Sequence, residues 1–384
     1  LHLNRFGYRI QTSAVKVIWN RADEWNRKKE REEKKMKNGR TLKEIATQIT
    51  EEKNSKRDFV ADTRSLEMLD GQGFALEGIG RFDATDLFHD QVAARLQIPK
   101  KYYDRMRTAA PDLLTANVNR WFQQEPDKRM IRTLGGNARA FLSERYRPLD
   151  NFDLAEAVLP RLTDLKCEIK SVEITETRLY IKAVTARIAG EVKVGDTVQA
   201  GVAISNSEVG CGSISIEPLI YTLSCTNGMI VQDYSMRKFH IGKAFGEDGE
   251  AGGVAEFFRS ETRLADDKAF WMKVQDLVAG TLSRDGFDRM LGRMREAAGI
   301  KIDCDPVKVV ERVASTYALT EGERGGVLNH LISDGDLSKY GLVNAITRTS
   351  QDVESYDRAT ELERLGGQVL ELAPQDWNKI ASLN

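Results

Sequence analysis

The sequence predicts an α+β fold in which an antiparallel β-sheet of hairpins packs against long helices and is followed by a helical C-terminal region. Three observations carry that expectation. Apolar and polar residues alternate, with many β-branched side chains, between Cys167 and Cys225, as strands with one buried face require. A long helical stretch from Val254 to Ala298 follows, through Phe257, Phe258, Leu264, Phe270, Trp271, Val274 and Leu277. From Asp305 to Asn384 the pattern breaks into short helices.

Leu1 to Lys35 holds ten basic and five acidic residues without sustained apolar periodicity. The run KKEREEKK (28–35), just before Met36, is what a translated ribosome-binding site looks like, so residues 1–35 are expected to be a non-native or flexible extension ahead of a start at Met36. A basic helical arm is the alternative. Residues 36–153 read as an N-terminal α+β region. Leu42, Ile45 and Ile49 mark a helix over Thr41–Lys53. Phe59–Arg64 and Leu66–Leu69, followed by glycines at 71, 73, 78 and 80, read as short strands and turns. A helix over Thr85–Arg95 is capped by Thr85 or Asp83, Pro99 opens the helix KKYYDRM, and Pro111 opens a third through Leu113, Leu114, Val118, Trp121 and Phe122. The segment from Lys128 to Arg147 forms a hairpin turning at Gly135-Gly136-Asn137.

Residues 154–300 are expected to be the antiparallel sheet with its long helices. Leu154–Leu165 is amphipathic, and Cys167–Ile174 with Arg178–Val184 make a hairpin. Strands follow at Gln199–Ser205, Gly212–Ile220 and Leu219–Cys225, with turns at Gly195-Asp196 and Asn206-Ser207-Glu208. Gly246–Gly253 is a glycine-rich loop. A boundary is placed near Gly299–Pro306, and residues 301–384 hold helices at Pro306–Tyr317, Thr320–Ile332, Ser338–Gln351 and near Ala359–Leu365. Thr320-Glu-Gly-Glu fits a capping box.

With 57 Lys+Arg against 58 Asp+Glu and a formal net charge of −1, any nucleic-acid role must rest on a local basic face. No membrane partner is expected, since no stretch approaches the roughly 18 consecutive apolar residues of a spanning helix. Cys167, Cys211, Cys225 and Cys304 lack a C-x-x-C pair and His2, His89, His240 and His330 lie far apart, which argues against a disulfide framework and zinc modules and for a reducing, cytoplasmic setting. Nucleotide-loop, G-x-S-x-G and H-E-x-x-H motifs are absent. Acid groups such as Glu261 with Asp266 and Asp267, or Asp303 with Asp305, read as solvated helix faces. Hence no catalytic residue, metal ligand or cofactor is expected.

Cations cluster in three places. Lys100, Lys101 and Arg105 share a helix with Tyr102, Tyr103 and Arg107. Between Lys128 and Arg147 six cations face a single acid, Glu144, which places Arg132, Arg139, Arg145 and Arg147 beside Phe141 and Tyr146. Arg237 and Lys238 lie just before His240. Arginines along a hairpin can follow a phosphate backbone while aromatics stack on bases, worth about 1–3 kcal/mol each. A bland account also fits: Tyr146 in the core, Pro148 ending the strand, and Asp150 or Asn151 capping the next helix.

The segments FLSERYRPLDN (141–151), ISNSEVGCGSISIEPLIYTLSCTNGM (204–229), LTEGERGGVLNHLI (319–332) and GLVNAITRTSQDVESYDRATELERLGGQVL (341–370) come in a distinctive order. In them the chain resembles the phage/plasmid-like family, domain of unknown function nine-three-two, of bacterial prophages and plasmids, nearly throughout from Met36 onward. The resemblance implies a mobile-element setting and no established activity. In element order alone, Leu154–Ala298 also looks like the core of Rad-type single-strand annealing recombinases. The expectation is therefore a DNA-binding protein, with single-stranded DNA favoured, that anneals strands and assembles as a homo-oligomer. The alternatives are a protein-interaction factor acting on host or phage machinery through its C-terminal helices, and a metal-dependent nuclease.

Overall fold

The computed structural model describes residues 37, 39–231 and 260–381. The segment through Met36, Arg237, Lys238, His240 and the loop Gly246–Gly253 lie outside the described residues. The chain divides into two compact units: Ala46–Phe152 with Ser207–Gly212, and Leu1–Ile45 with Asp153–Asn206 and Ser213–Asn384. The α+β class expected from the sequence is the class observed. Helix α1 (Leu42–Ser55) buries Leu42, Ile45 and Ile49, the three residues whose spacing predicted it.

The unit around Ala46–Phe152 holds a six-stranded mixed sheet. Its strands are β1 (Lys56–Asp62), β2 (Leu66–Leu69), β3 (Gly73–Leu76), β4 (Gly80–Ala84), β5 (Lys128–Leu134) and β6 (Asn137–Ser143), in the order β1-β5-β6-β4-β3-β2. Only the β4–β6 pair is parallel. Parallel neighbours need a long crossover, and helices α2 (Asp86–Arg95), α3 (Lys100–Ala109) and α4 (Pro111–Gln124) lie in it. Their inner faces, among them Phe88, Val92, Tyr103, Met106, Leu114, Val118 and Phe122, close on Leu66, Met68, Phe74, Ile131 and Phe141 of the sheet. The Phe74 and Phe88 rings lie 4.9 Å apart and those of Phe122 and Phe141 5.9 Å. Each such side chain fully buried contributes about 1.5–3 kcal/mol.

The β5–β6 hairpin turns on Gly135 (φ 58°) and Gly136 (φ 91°), both left-handed, and Asn137 already belongs to β6. Two successive positive φ angles suit the twist of paired strands and are cheapest for glycine. On the free side of β2, the Asn119 side chain accepts from Met68 N at 2.7 Å and donates to Met68 O at 3.1 Å, standing in for a further strand.

The second unit carries a five-stranded antiparallel half-barrel. After α5 (Asn151–Asp164) come β7 (Glu168–Ile174), β8 (Leu179–Glu191), β9 (Thr197–Asn206), β10 (Ser215–Thr222) and β11 (Asn227–Ile230), each beside its sequence neighbour. The two strands expected at Gly212–Ile220 and Leu219–Cys225 are one strand, β10, and a turn that leads to β11. The expected long helix is two, α6 (Ser260–Thr281) and α7 (Arg284–Gly299). Ser283, whose side chain accepts from Gly286 N, caps the second.

The C-terminal helices are α8 (Pro306–Thr316), α9 (Glu321–Asp334), α10 (Lys339–Thr349), α11 (Tyr356–Leu370) and α12 (Pro374–Ala381). Thr320 and Glu323 form the capping box of α9, and Glu323 is also gripped by Arg358 at 2.7 and 2.9 Å. Helix α11 lies on β10 and β11, so close that a Cβ on Gly367 would stand 2.1 Å from Ile230 O. The residues expected to mark a domain boundary, Gly299–Pro306, join α7 to α8 inside this one unit.

Candidate nucleic-acid interface

Thr85 caps α2 by accepting from Phe88 N, and Pro99, which cannot donate a backbone hydrogen bond, precedes the first turn of α3. Tyr103 and Met106 are the buried residues of α3 and fix its inner face. The Tyr103 hydroxyl meets His89 Nδ1 at 2.9 Å, and His89 Nε2 meets Gln72 O at 2.9 Å. Burial pushes His89 down to about 4, so it is neutral near pH 7 and serves the packing of the helices.

The outer face of α3 carries Lys101, Tyr102 and Arg105, all exposed, with Tyr102 at 50%. Residues three and four apart on a helix are neighbours, so Arg105 lies beside both Lys101 and Tyr102. Neither Lys101 nor Arg105 forms an ion pair with a described residue. Lys100 differs: its ammonium is held by Asp90 and by Asp104, the latter at 3.1 Å. Arg107 pairs with Asp86 at 2.6 Å.

The hairpin cations go elsewhere. Arg132 is fully enclosed: its guanidinium donates to Asp58 at 2.8 and 3.1 Å, to Asp150 at 2.8 Å and to Glu208 O at 2.7 Å. Arg139 pairs with the Glu208 carboxylate, which also takes Lys56 at 2.7 Å and Asn151 N at 2.6 Å. Lys56 reaches Asp150 at 3.1 Å. Three cations and three carboxylates thus neutralise one another. Burial raises the Glu208 and Asp150 carboxyls, but Lys56, with Arg139 at the first and Arg132 at the second, more than offsets it and holds both below their ordinary values.

The phosphate contacts expected of Arg132 and Arg139 give way to internal ion pairs: Arg132 is fully enclosed with its guanidinium bonded to Asp58, Asp150 and Glu208 O, and Arg139 is turned to the buried Glu208 carboxylate. Tyr146, expected to stack on a base, is half-buried against Met130, Ala140, Leu142 and Val209, and its hydroxyl donates to Ser207 O at 3.0 Å. Of the bland account of this segment only the inward packing of Tyr146 matches: β6 ends at Ser143, five residues before Pro148, and the Asp150 carboxylate is held by Arg132 and Lys56. Arg145 and Arg147 are exposed, and Arg237 and Lys238 lie outside the described residues.

Sequence reasoning singles out neither Lys56 nor Asp58 and reads Glu208 only as part of a turn. A signal for them exists in the β5–β6 register: Arg132 stands opposite Ala140, next to the Met130–Leu142 pair, so a lone cation sits on an apolar face and demands buried acids. Glu208 looked like a turn residue, and its side chain is 3% exposed.

Among the described residues no group of three His, Cys, Asp or Glu is placed to hold a metal ion. Asp305 caps α8 by accepting from Val307 N at 2.9 Å. No described helix is long and apolar enough to cross a membrane. No family model, curated protein or solved structure matches the chain.

Proposed function

We propose that the protein is a cytoplasmic nucleic-acid-binding protein of a mobile element, with single-stranded DNA as its favoured ligand, and that the outer face of α3 makes a principal contact. The observation that carries this is the half-exposed Tyr102 flanked by Lys101 and Arg105, two cations with no acidic partner among the described residues. A base can stack on the ring while the cations meet the phosphates on either side. Such binding is indifferent to sequence and steeply dependent on salt, because each neutralised phosphate releases counterions. Strand annealing by an assembly of copies, and membership of the phage/plasmid-like family, belong to the same proposal.

The test is anisotropy of a labelled oligothymidylate titrated with the full chain at low and moderate salt. Tyr102→Ala is expected to weaken binding by about 1–3 kcal/mol, and Lys101→Glu/Arg105→Glu further, without loss of thermal stability. Unchanged affinity in both variants would overturn the placement on α3.

A further inference from the structure

The half-barrel unit holds an open groove of about 1030 Å³ whose charged lining is four cations, Lys166, Lys170, Arg187 and Arg348, and one carboxylate, Glu168. Two of the cations are held in place. Lys170 lies 2.9 Å from Glu168 with its ammonium 5.3 Å from the Tyr221 ring centroid, and Arg348 pairs with Asp334 at 2.5 Å. Lys166 and Arg187 are exposed and form no ion pair with a described residue.

The backbone is irregular where it presents these side chains. The β7–β8 register slips between Ile169 and Ser171, leaving Lys170 as the extra residue, and the β8–β9 register slips between Thr185 and Ala189, leaving Ala186, Arg187 and Ile188 outside the ladder. A bulge re-aims a side chain that regular pairing would send elsewhere. Thr226 (φ 51°) is left-handed without being glycine, which is uncommon and mildly strained, and Lys166 (φ 56°) is left-handed as the residue that closes the end of α5, its N donating to Thr163 O while Cys167 N donates to Leu162 O. The wall formed by Cys225 and Thr226 is fixed by Gln351, whose Nε2 donates to both carbonyls at 3.4 Å. Two bulges and two left-handed residues therefore fall on one groove, and two of its cations are left without a counter-charge.

From this convergence we infer that the groove is a binding site for a chain of phosphates, either the backbone of a nucleic-acid strand or a short polyphosphate group such as that of a nucleotide. The site is separate from the α3 face and does not depend on it. Tyr221 is buried, so recognition here is of charge and not of bases.

The test uses the full chain, with labelled oligothymidylate followed by anisotropy and inorganic pyrophosphate by calorimetry. Lys166→Glu/Arg187→Glu changes two exposed side chains and is expected to keep the thermal midpoint. It should weaken at least one ligand by about tenfold or more, and lower the salt slope of the oligothymidylate by about 1.4 if two phosphate contacts are lost. Lys166→Gln/Arg187→Gln should give a smaller loss in the same direction. Loss for the oligothymidylate alone identifies a strand backbone, and loss for pyrophosphate as well shows that a short phosphate chain suffices. Wild-type affinity for both ligands in both variants, or no binding by the unaltered protein, overturns the inference. Lys101→Glu/Arg105→Glu and Tyr102→Ala serve as the separate controls: if both bind oligothymidylate like wild type, the α3 proposal fails while the groove stands or falls on its own variants.

Discussion

Removing one partner of the buried Lys182–Glu363 pair is expected to destabilise the half-barrel unit strongly. Lys182 lies in β8 and Glu363 in α11, their side chains 1% and 0% exposed and 2.5 Å apart. The ammonium also donates to Thr360 Oγ1 at 3.1 Å and lies 4.7 Å from the Tyr356 ring centroid. Burial pushes the lysine down and the carboxyl up, and each charge survives chiefly through the other. Truncating one partner leaves the other uncompensated, at a cost of about 3–5 kcal/mol, whereas Lys182→Met/Glu363→Leu should return to within about 1 kcal/mol of the unaltered protein or exceed it.

The single variants should also differ in the sign of their pH dependence. In Lys182→Met the stranded carboxyl is neutral in the fold but ionises in the unfolded chain above about pH 4.3, so stability falls as pH rises, by up to about 1.4 kcal/mol per unit. In Glu363→Gln the buried amine is neutral in the fold while the unfolded lysine stays protonated to about pH 10.4, so stability rises with pH. Urea unfolding midpoints at about pH 5.5 and about pH 8.5 measure both effects. Single losses under about 1 kcal/mol, or pH slopes of the same sign, would refute the reasoning.

Arg132→Met should destabilise the protein by about 2–4 kcal/mol in urea, because Asp58 and the Glu208 carbonyl lose their donor and Asp150 keeps only Lys56, while leaving the oligothymidylate affinity of folded protein unchanged. Gly367→Ala should lower stability by about 1–3 kcal/mol in thermal unfolding, because the new Cβ forces α11 away from β11. The hydrogen-bonded Arg358 guanidinium pulls Glu323 down to about 2, so this contact's stabilisation is present above the ordinary carboxyl range and is lost as pH falls toward 2. Arg358→Met should therefore move acid unfolding, followed by circular dichroism, to higher pH.

Local signals in the sequence proved dependable where the cause is local. The Thr320 capping box, the Thr85 cap, the helix opened by Pro111 and the two-glycine turn at Gly135 and Gly136 each depend on residues within one turn of one another. What depends on distant partners was not legible. Nothing near β4 announces that it runs parallel to β6, and nothing near β1 that it pairs with β5. Lys182 sits in an alternating strand where the pattern would send it to solvent, and only α11 covering that position makes it internal. The hairpin arginines illustrate the same limit: their density suggested a surface, but Glu208 and Asp150, brought in from elsewhere in the chain, turned two of them inward. Lys101 and Arg105 lie on the α3 face that helix periodicity leaves outside, and this part of the candidate site could be read directly.

The ion cluster also orders events in time. Lys56, Asp58, Arg132, Arg139 and Asp150 all emerge before Phe152, but Glu208 arrives only after the segment Asp153–Asn206 has been synthesised. Until then the nascent six-stranded sheet carries an excess of enclosed positive charge and the amide of Asn151 lacks its acceptor. On the ribosome, the N-terminal sheet cannot reach its final stability when its own last strand is complete, and must wait for a short loop encoded beyond the first three strands of the next body.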